Sequence, residues 1–137
     1  MNRIKYDSDL IKIITLFESM SGAKVRDCIS NDRLLFIVEE NEIGRAIGKN
    51  GANIRKMESA LKKKIKVAEF SNDILKFIRS LAHPAEIVDV KNDNGMITIF
   101  GKDTNARAML IGRDKQNLHH LNETVKRYFE IKGIRVE

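Results

Sequence analysis

Apolar side chains at Leu10, Ile14 and Phe17, and again at Ile74, Phe77, Ile78 and Leu81, recur at the three- and four-residue spacing of an amphipathic helix. Asp7 or Ser8 ahead of the first set, and Ser71 to Asp73 ahead of the second, offer N-cap oxygens. Gly22 stops the first helix and Pro84 the second. Each helix is followed by two strand-like runs, "AKVRDCIS" with "RLLFIVE" and "AEIVDVKN" with "GMITIFG", joined by the hairpin signals "SND" and "NDNG". A short helix (42–47, 104–111), a polar loop, a longer helix (51–62, 115–130) and a last strand, "KIKVAEF" or "GIRVE", complete each set. The predicted order is α-β-β-α-α-β, twice.

The two sets keep a common spacing. "DLIKII" and "DILKFI" lie 64 apart (73 − 9), as do "AIGKNGANIRKM" and "LIGRDKQNLHHL" (110 − 46) and "RLLFIVE" and "ITIFGKD" (97 − 33). One spacing across three segments predicts a duplicated unit of about 65 residues. The expected fold is α+β in two domains, 1–70 and 71–137, each a three-stranded sheet with helices packed on one face. The joining "EFSNDI" holds no Gly or Pro, which predicts a short linker and two copies packed rigidly.

Composition narrows the partner. The 137 residues carry 25 Lys and Arg against 19 Asp and Glu, a net charge of +6 with a pI near 9.5. The surplus is spread over both halves, so neither is a charged tail, and it favours a polyanion. Cys28 is the one cysteine, which excludes an internal disulfide and a cysteine cluster for zinc and predicts a small buried side chain in a strand. The opening "MNRIKYDSDL" lacks the apolar run of a secretory leader, and no stretch has the apolar length of a membrane span. The expectation is a cytoplasmic chain with no membrane partner.

The candidate chemistry lies in "AIGKNGANI", residues 46–54. Two glycines three apart serve a tight turn between helices, because glycine accepts positive φ. They also serve an anion. Gly51 opens a helix whose first N–H groups present a partial positive charge, and a side chain there would hold a phosphodiester away. Arg45, Lys49, Arg55 and Lys56 surround this loop, and Ile47 and Ile54 are expected to point inward and fix it. The spacing fits neither a Walker A loop nor a dinucleotide fingerprint after a strand. Nucleotide hydrolysis is not expected.

The hydrophobic-Ile-Gly-x-x-Gly-x-x-Ile run between two helices resembles the signature of KH domains, and helix–strand–strand ahead of it resembles their type II form. Over residues 8–136, "LFESMSGAKVRDCI", "GRAIGKNGANIRKME", "IKVAEFSND", "AHPAEI" and "VKRYFEIKGIRV" are similar to the archaeal NusA-like transcription factors. The resemblance implies two tandem type II KH domains that clamp single-stranded RNA by its backbone. It implies a phosphate contact at Gly48, Lys49, Asn50 and Gly51, with bases on an aliphatic groove of Ile43, Gly44 and Ile47. In the second copy Gly112 is kept, Lys115 stands in place of Gly51, and Arg113 and Asp114 lie between, so this copy is expected either to make a weaker and different contact, the preferred reading, or to serve as a structural partner. The polymerase-binding and OB-fold domains of bacterial NusA have no counterpart in these segments, so an RNA polymerase contact rests on resemblance alone.

Other features change little. His119 and His120 diverge by about 100 degrees on a helix, which predicts surface residues rather than joint metal ligands. "LKKKIK" at 61–66 reads equally as an RNA rim or as the cationic end of a helix. Trp is absent and aromatics are 6%, which argues against base stacking on aromatic platforms. No catalytic constellation, cofactor motif or metal motif is recognised, so no enzyme is expected. The expected function is a single-stranded RNA-binding factor in transcription elongation, pausing or termination. The alternative is a ribosome-associated KH protein on ribosomal RNA.

Overall fold

Both halves of the chain run α-β-β-α-α-β in the computed structural model, which describes residues 8–137. The N-cap candidate Asp7 lies outside the described residues. Residues 8–71 form one compact unit and 72–137 another.

In the first unit, α1 (Ser8–Ser21) leads to the hairpin β1 (Val25–Ser30) and β2 (Leu34–Val38). Gly22, at φ +75°, donates its N–H back to the Glu18 carbonyl and turns the chain off the helix. Next come α2 (Ile43–Ile47), α3 (Ala52–Leu61) and β3 (Ile65–Glu69). β2 is central, antiparallel to β1 and parallel to β3. A parallel neighbour demands a crossover, and the pair α2–α3 supplies it, with the glycine loop at its apex. Phe17 of α1 stacks on Phe36 of β2 at 4.2 Å, and Leu34, Val38, Ala46 and Met57 close the core around them. Cys28 is buried in β1 against this core. Burial, then Asp27, pushes its thiol up to about 12, against which Lys63 acts weakly.

The second unit repeats the plan with α4 (Ile74–Ala82), β4 (Ile87–Asp93), β5 (Met96–Gly101), α5 (Thr104–Ile111), α6 (Gln116–Lys126) and β6 (Gly133–Val136). Its sheet has the same order, with β5 central. Asp73 caps α4 by accepting the Leu75 N–H, and Asp103 caps α5 by accepting that of Ala106.

Two expectations need correction. The spacing of 64 does not hold through the sheets: both hairpins carry the same irregularity, and the pairs that follow it, Asp27 with Ile37 and Asp89 with Phe100, set the first strands 62 apart (89 − 27) and the central strands 63 (100 − 37). The first hairpin turns through Asn31–Arg33, whereas the second closes through Asn94 and Gly95, both at positive φ, in a two-residue turn. The second long helix ends at Lys126, not at residue 130. Its last N–H bonds tighten, Arg127 to Thr124 and Tyr128 to Val125, and the chain leaves the helix. Tyr128 and Phe129 lie against Phe77, at ring centroids 5.8 and 5.9 Å.

Candidate nucleic-acid interface

The loop after α2 is built on an unusual backbone. Gly48 takes φ +78°, ψ 170°, a conformation open in practice to glycine alone. Asn50 (φ +53°, ψ 31°) and Gly51 (φ +75°, ψ 17°) follow in the left-handed region. Two short turns close the loop: the Gly51 N–H donates to the Gly48 carbonyl at 3.1 Å and the Ala52 N–H to that of Lys49. α3 then begins with no side chain capping its N-terminus. Lys49 and Asn50, just ahead of it, are both exposed. That arrangement suits a phosphate.

The cations around the loop divide into two groups. Arg55 turns back and donates to the Asn50 carbonyl, bracing the loop. Arg45 reaches the Gly22 carbonyl at the end of α1 and lies 3.7 Å from the Glu42 carboxylate. Lys49 and Lys56 are exposed, and among the described residues neither makes an ion pair. Of the four cations expected at the site, the two arginines are engaged by carbonyl partners and the two lysines extend from the loop and the helix as exposed charges.

Gly44 is exposed in the middle of α2, and a Cβ built on it would meet nothing within 4 Å. Its conformation does not require glycine, so the fold gives no reason for the bare surface. Ile43 and Ile54 pack against the core from its edge. Ile47, expected to point inward, is only half-buried, and the α2 side chain that enters the core is Ala46. A five-residue helix offers one inward position per turn, and Ala46 occupies it.

The comparisons with known proteins bear on this geometry. The KH domain family matches residues 12–72, the span of the first unit and its loop. A protein of Methanococcus vannielii named "Probable transcription termination protein NusA" is 35% identical, over 98% of this chain and 80% of its own. Its namesake in Methanocaldococcus jannaschii is 31% identical over 99% and 76%. The chain belongs to the archaeal NusA-like family of KH proteins. A Thermoplasma acidophilum member of the same name is 27% identical over 100% of this chain and 98% of its own. The crystal structure of APE1850 superposes with a TM-score of 0.75 at 27% identity, covering 96% of this chain and all of that one.

Within this NusA-like chain the second loop is the less regular in sequence but not in backbone. Gly112 (φ +74°, ψ 174°), Asp114 (φ +54°, ψ 30°) and Lys115 (φ +60°, ψ 21°) match Gly48, Asn50 and Gly51 to within about fifteen degrees. Lys115 therefore holds a left-handed conformation that costs a side chain about 1 kcal/mol. Arg113, Asp114 and Lys115 are all exposed, and α6 likewise starts without a side-chain cap.

Two asparagines escaped the sequence reading. Asn53 Nδ2 donates to the Arg45 carbonyl, and Asn117 Nδ2 to the Met109 carbonyl, each at 2.9 Å. Both stand two residues past their loop and 64 apart (117 − 53), a signal present in the strings "GKNGANI" and "GRDKQNL".

His119 sits 3.0 Å from Glu123, one turn along α6, while His120 is half-buried rather than on the surface as expected. Among the described residues no group of three His, Cys, Asp or Glu side chains is placed to hold a metal. The 61–66 run serves several ends. Lys62 takes the left-handed cap of α3, Lys63 Nζ donates to Ser30 Oγ at 3.1 Å, and Lys66 lies half-buried in β3. Burial, then Arg33, pulls Lys66 down to about 8. Among the described residues no helix is long and apolar enough to cross a membrane.

Proposed function

We propose that this chain is an RNA-binding factor of transcription, not an enzyme, that grips single-stranded RNA by its backbone at residues 48–51. The second unit is read as a second, degenerate KH domain making a weaker contact at Gly112–Lys115. The observation that carries the reading is the turn of Gly48, Asn50 and Gly51, all at positive φ, leading into a helix N-terminus without a side-chain cap, beside Lys49 and Lys56, which are exposed and make no ion pair among the described residues. Bases then lie over Ile43, Gly44 and Ile47, where the missing Cβ of Gly44 leaves room. The setting, in elongation, pausing or termination, follows the relatives named for transcription termination. The link to RNA polymerase rests on the same relatives.

The test pairs two substitutions. Lys49→Asp with Asn50→Asp puts carboxylates where the phosphate lies, at exposed positions, so RNA affinity should fall with thermal stability nearly unchanged. Gly44→Ala replaces an exposed helical glycine by the best helix former, so stability should rise by about 0.5–1 kcal/mol. The same methyl group should weaken RNA binding. Titration at fixed salt with unchanged affinity in both variants would remove the loop from the interface.

A further inference from the structure

The two loops differ in sequence at nearly every position yet share one backbone, so whatever they have in common sets its shape. The second glycine is not common, since Lys115 replaces Gly51. The arginine brace is not common either: the residue 64 after Arg55 is His119, which faces Glu123. What remains is an isoleucine ahead of the loop (Ile47, Ile111), the first glycine and the asparagine five residues on, and the last two are in contact. A Cβ on Gly48 would lie 2.9 Å from Asn53 Cγ and Nδ2, and one on Gly112 would lie 2.6 Å from Asn117 Cγ. Each asparagine therefore occupies the space a side chain on its glycine would need. Each also donates to a carbonyl in the last turn of the short helix ahead of the loop, one of the acceptors left open where that helix stops.

We infer that Asn53 is a positioning residue for RNA: seated on Gly48 and bonded to the Arg45 carbonyl, it holds residues 48–51 in the phosphate-facing conformation, as Asn117 does for 112–115. The first glycine is then demanded by its asparagine, and the second glycine is a lesser requirement. The inference rests on the reading that the loop meets the RNA backbone, but its structural half stands apart from that reading.

The experiment uses the full chain and three variants. Asn53→Asp keeps shape but loses the donor and sets a carboxylate against a carbonyl. Asn53→Ala removes the brace. Gly51→Lys copies the second loop while keeping Asn53. Amide chemical shifts and backbone couplings of residues 48–51 report loop shape without RNA, thermal unfolding reports stability, and titration with a single-stranded RNA oligonucleotide reports binding. Both Asn53 variants are expected to move the 48–51 signals and to weaken binding about tenfold, the loss of one or two charge-assisted hydrogen bonds. The rest of the spectrum should remain native. Gly51→Lys should keep the positive-φ couplings at residues 50 and 51. Undisturbed loop signals in Asn53→Ala, or their loss in Gly51→Lys, would overturn the inference. A wild-type chain that binds no single-stranded RNA would sink the functional reading instead, and the loop signals alone would then decide the role of Asn53.

Discussion

Lys115 shows two forces meeting at one residue. Its φ of +60° strains a side chain that glycine would not have, and its ammonium is a cation at the turn. Lys115→Gly should therefore leave the fold unchanged or stabilise it, by no more than about 1 kcal/mol, because relief of strain is partly offset by the freer unfolded chain. RNA affinity should nevertheless fall a few-fold, because the cation is lost from an exposed anion site. Asp114→Asn, at the same loop, removes a repulsive charge and keeps a residue tolerant of positive φ. Its gain should be under about 1 kcal/mol and fade as salt is added. Thermal denaturation and RNA titration of both variants separate strain from charge. Tighter binding by Lys115→Gly would mean that side-chain bulk, not charge, limits this loop.

At the scale of the element, legibility followed locality. The helix–loop–helix was readable because Ala46 to Met57 and their counterparts keep one spacing, and because glycine marks the turn. The strands were readable as strands, but their alignment was not, since it depends on how many residues each hairpin turn consumes. Nor did the pattern reveal where α6 ends, because Tyr128 and Phe129 continue the apolar period yet pack as a turn against Phe77. Asn53 stayed hidden for a similar reason: a polar residue at a helix start reads as solvated until its carbonyl partner is known. Lys66 is another such case, a cation placed by strand register beside buried Leu35. Its neutral form is favoured in the fold, so between pH 8 and 10.5 the unfolded chain binds more protons and stability rises with pH. Cys28, raised from 9.0 to about 12, acts in the opposite sense only above pH 9. The window from pH 8 to 9 isolates the lysine. Denaturant midpoints should climb across it in the wild type and flatten in Lys66→Met; equal slopes would mean that Lys66 ionises as freely in the fold as in the open chain.

For the whole molecule the question is what use the chain has for a second loop whose sequence differs from the first while its backbone does not. Holding Asp114 and Lys115 left-handed has a cost in stability, and a purely structural unit could dispense with a turn that ends on an exposed helix start without a side-chain cap. A weak second contact gives that turn a use. When one strand engages both loops, the second binding step is intramolecular, and even a millimolar site then tightens the whole by an order of magnitude or more. The consequence is measurable in the intact chain. With an RNA of about four nucleotides, the length one KH domain clamps, charge reversal at Arg113 and Lys115 should change little. With an RNA long enough to reach both loops, the same variant should lose most of the extra affinity, and residues 1–71 alone should bind long and short RNAs alike. Affinity that does not grow with RNA length in the wild type would make the second unit a bystander to binding, and would leave its loop geometry without a part in it.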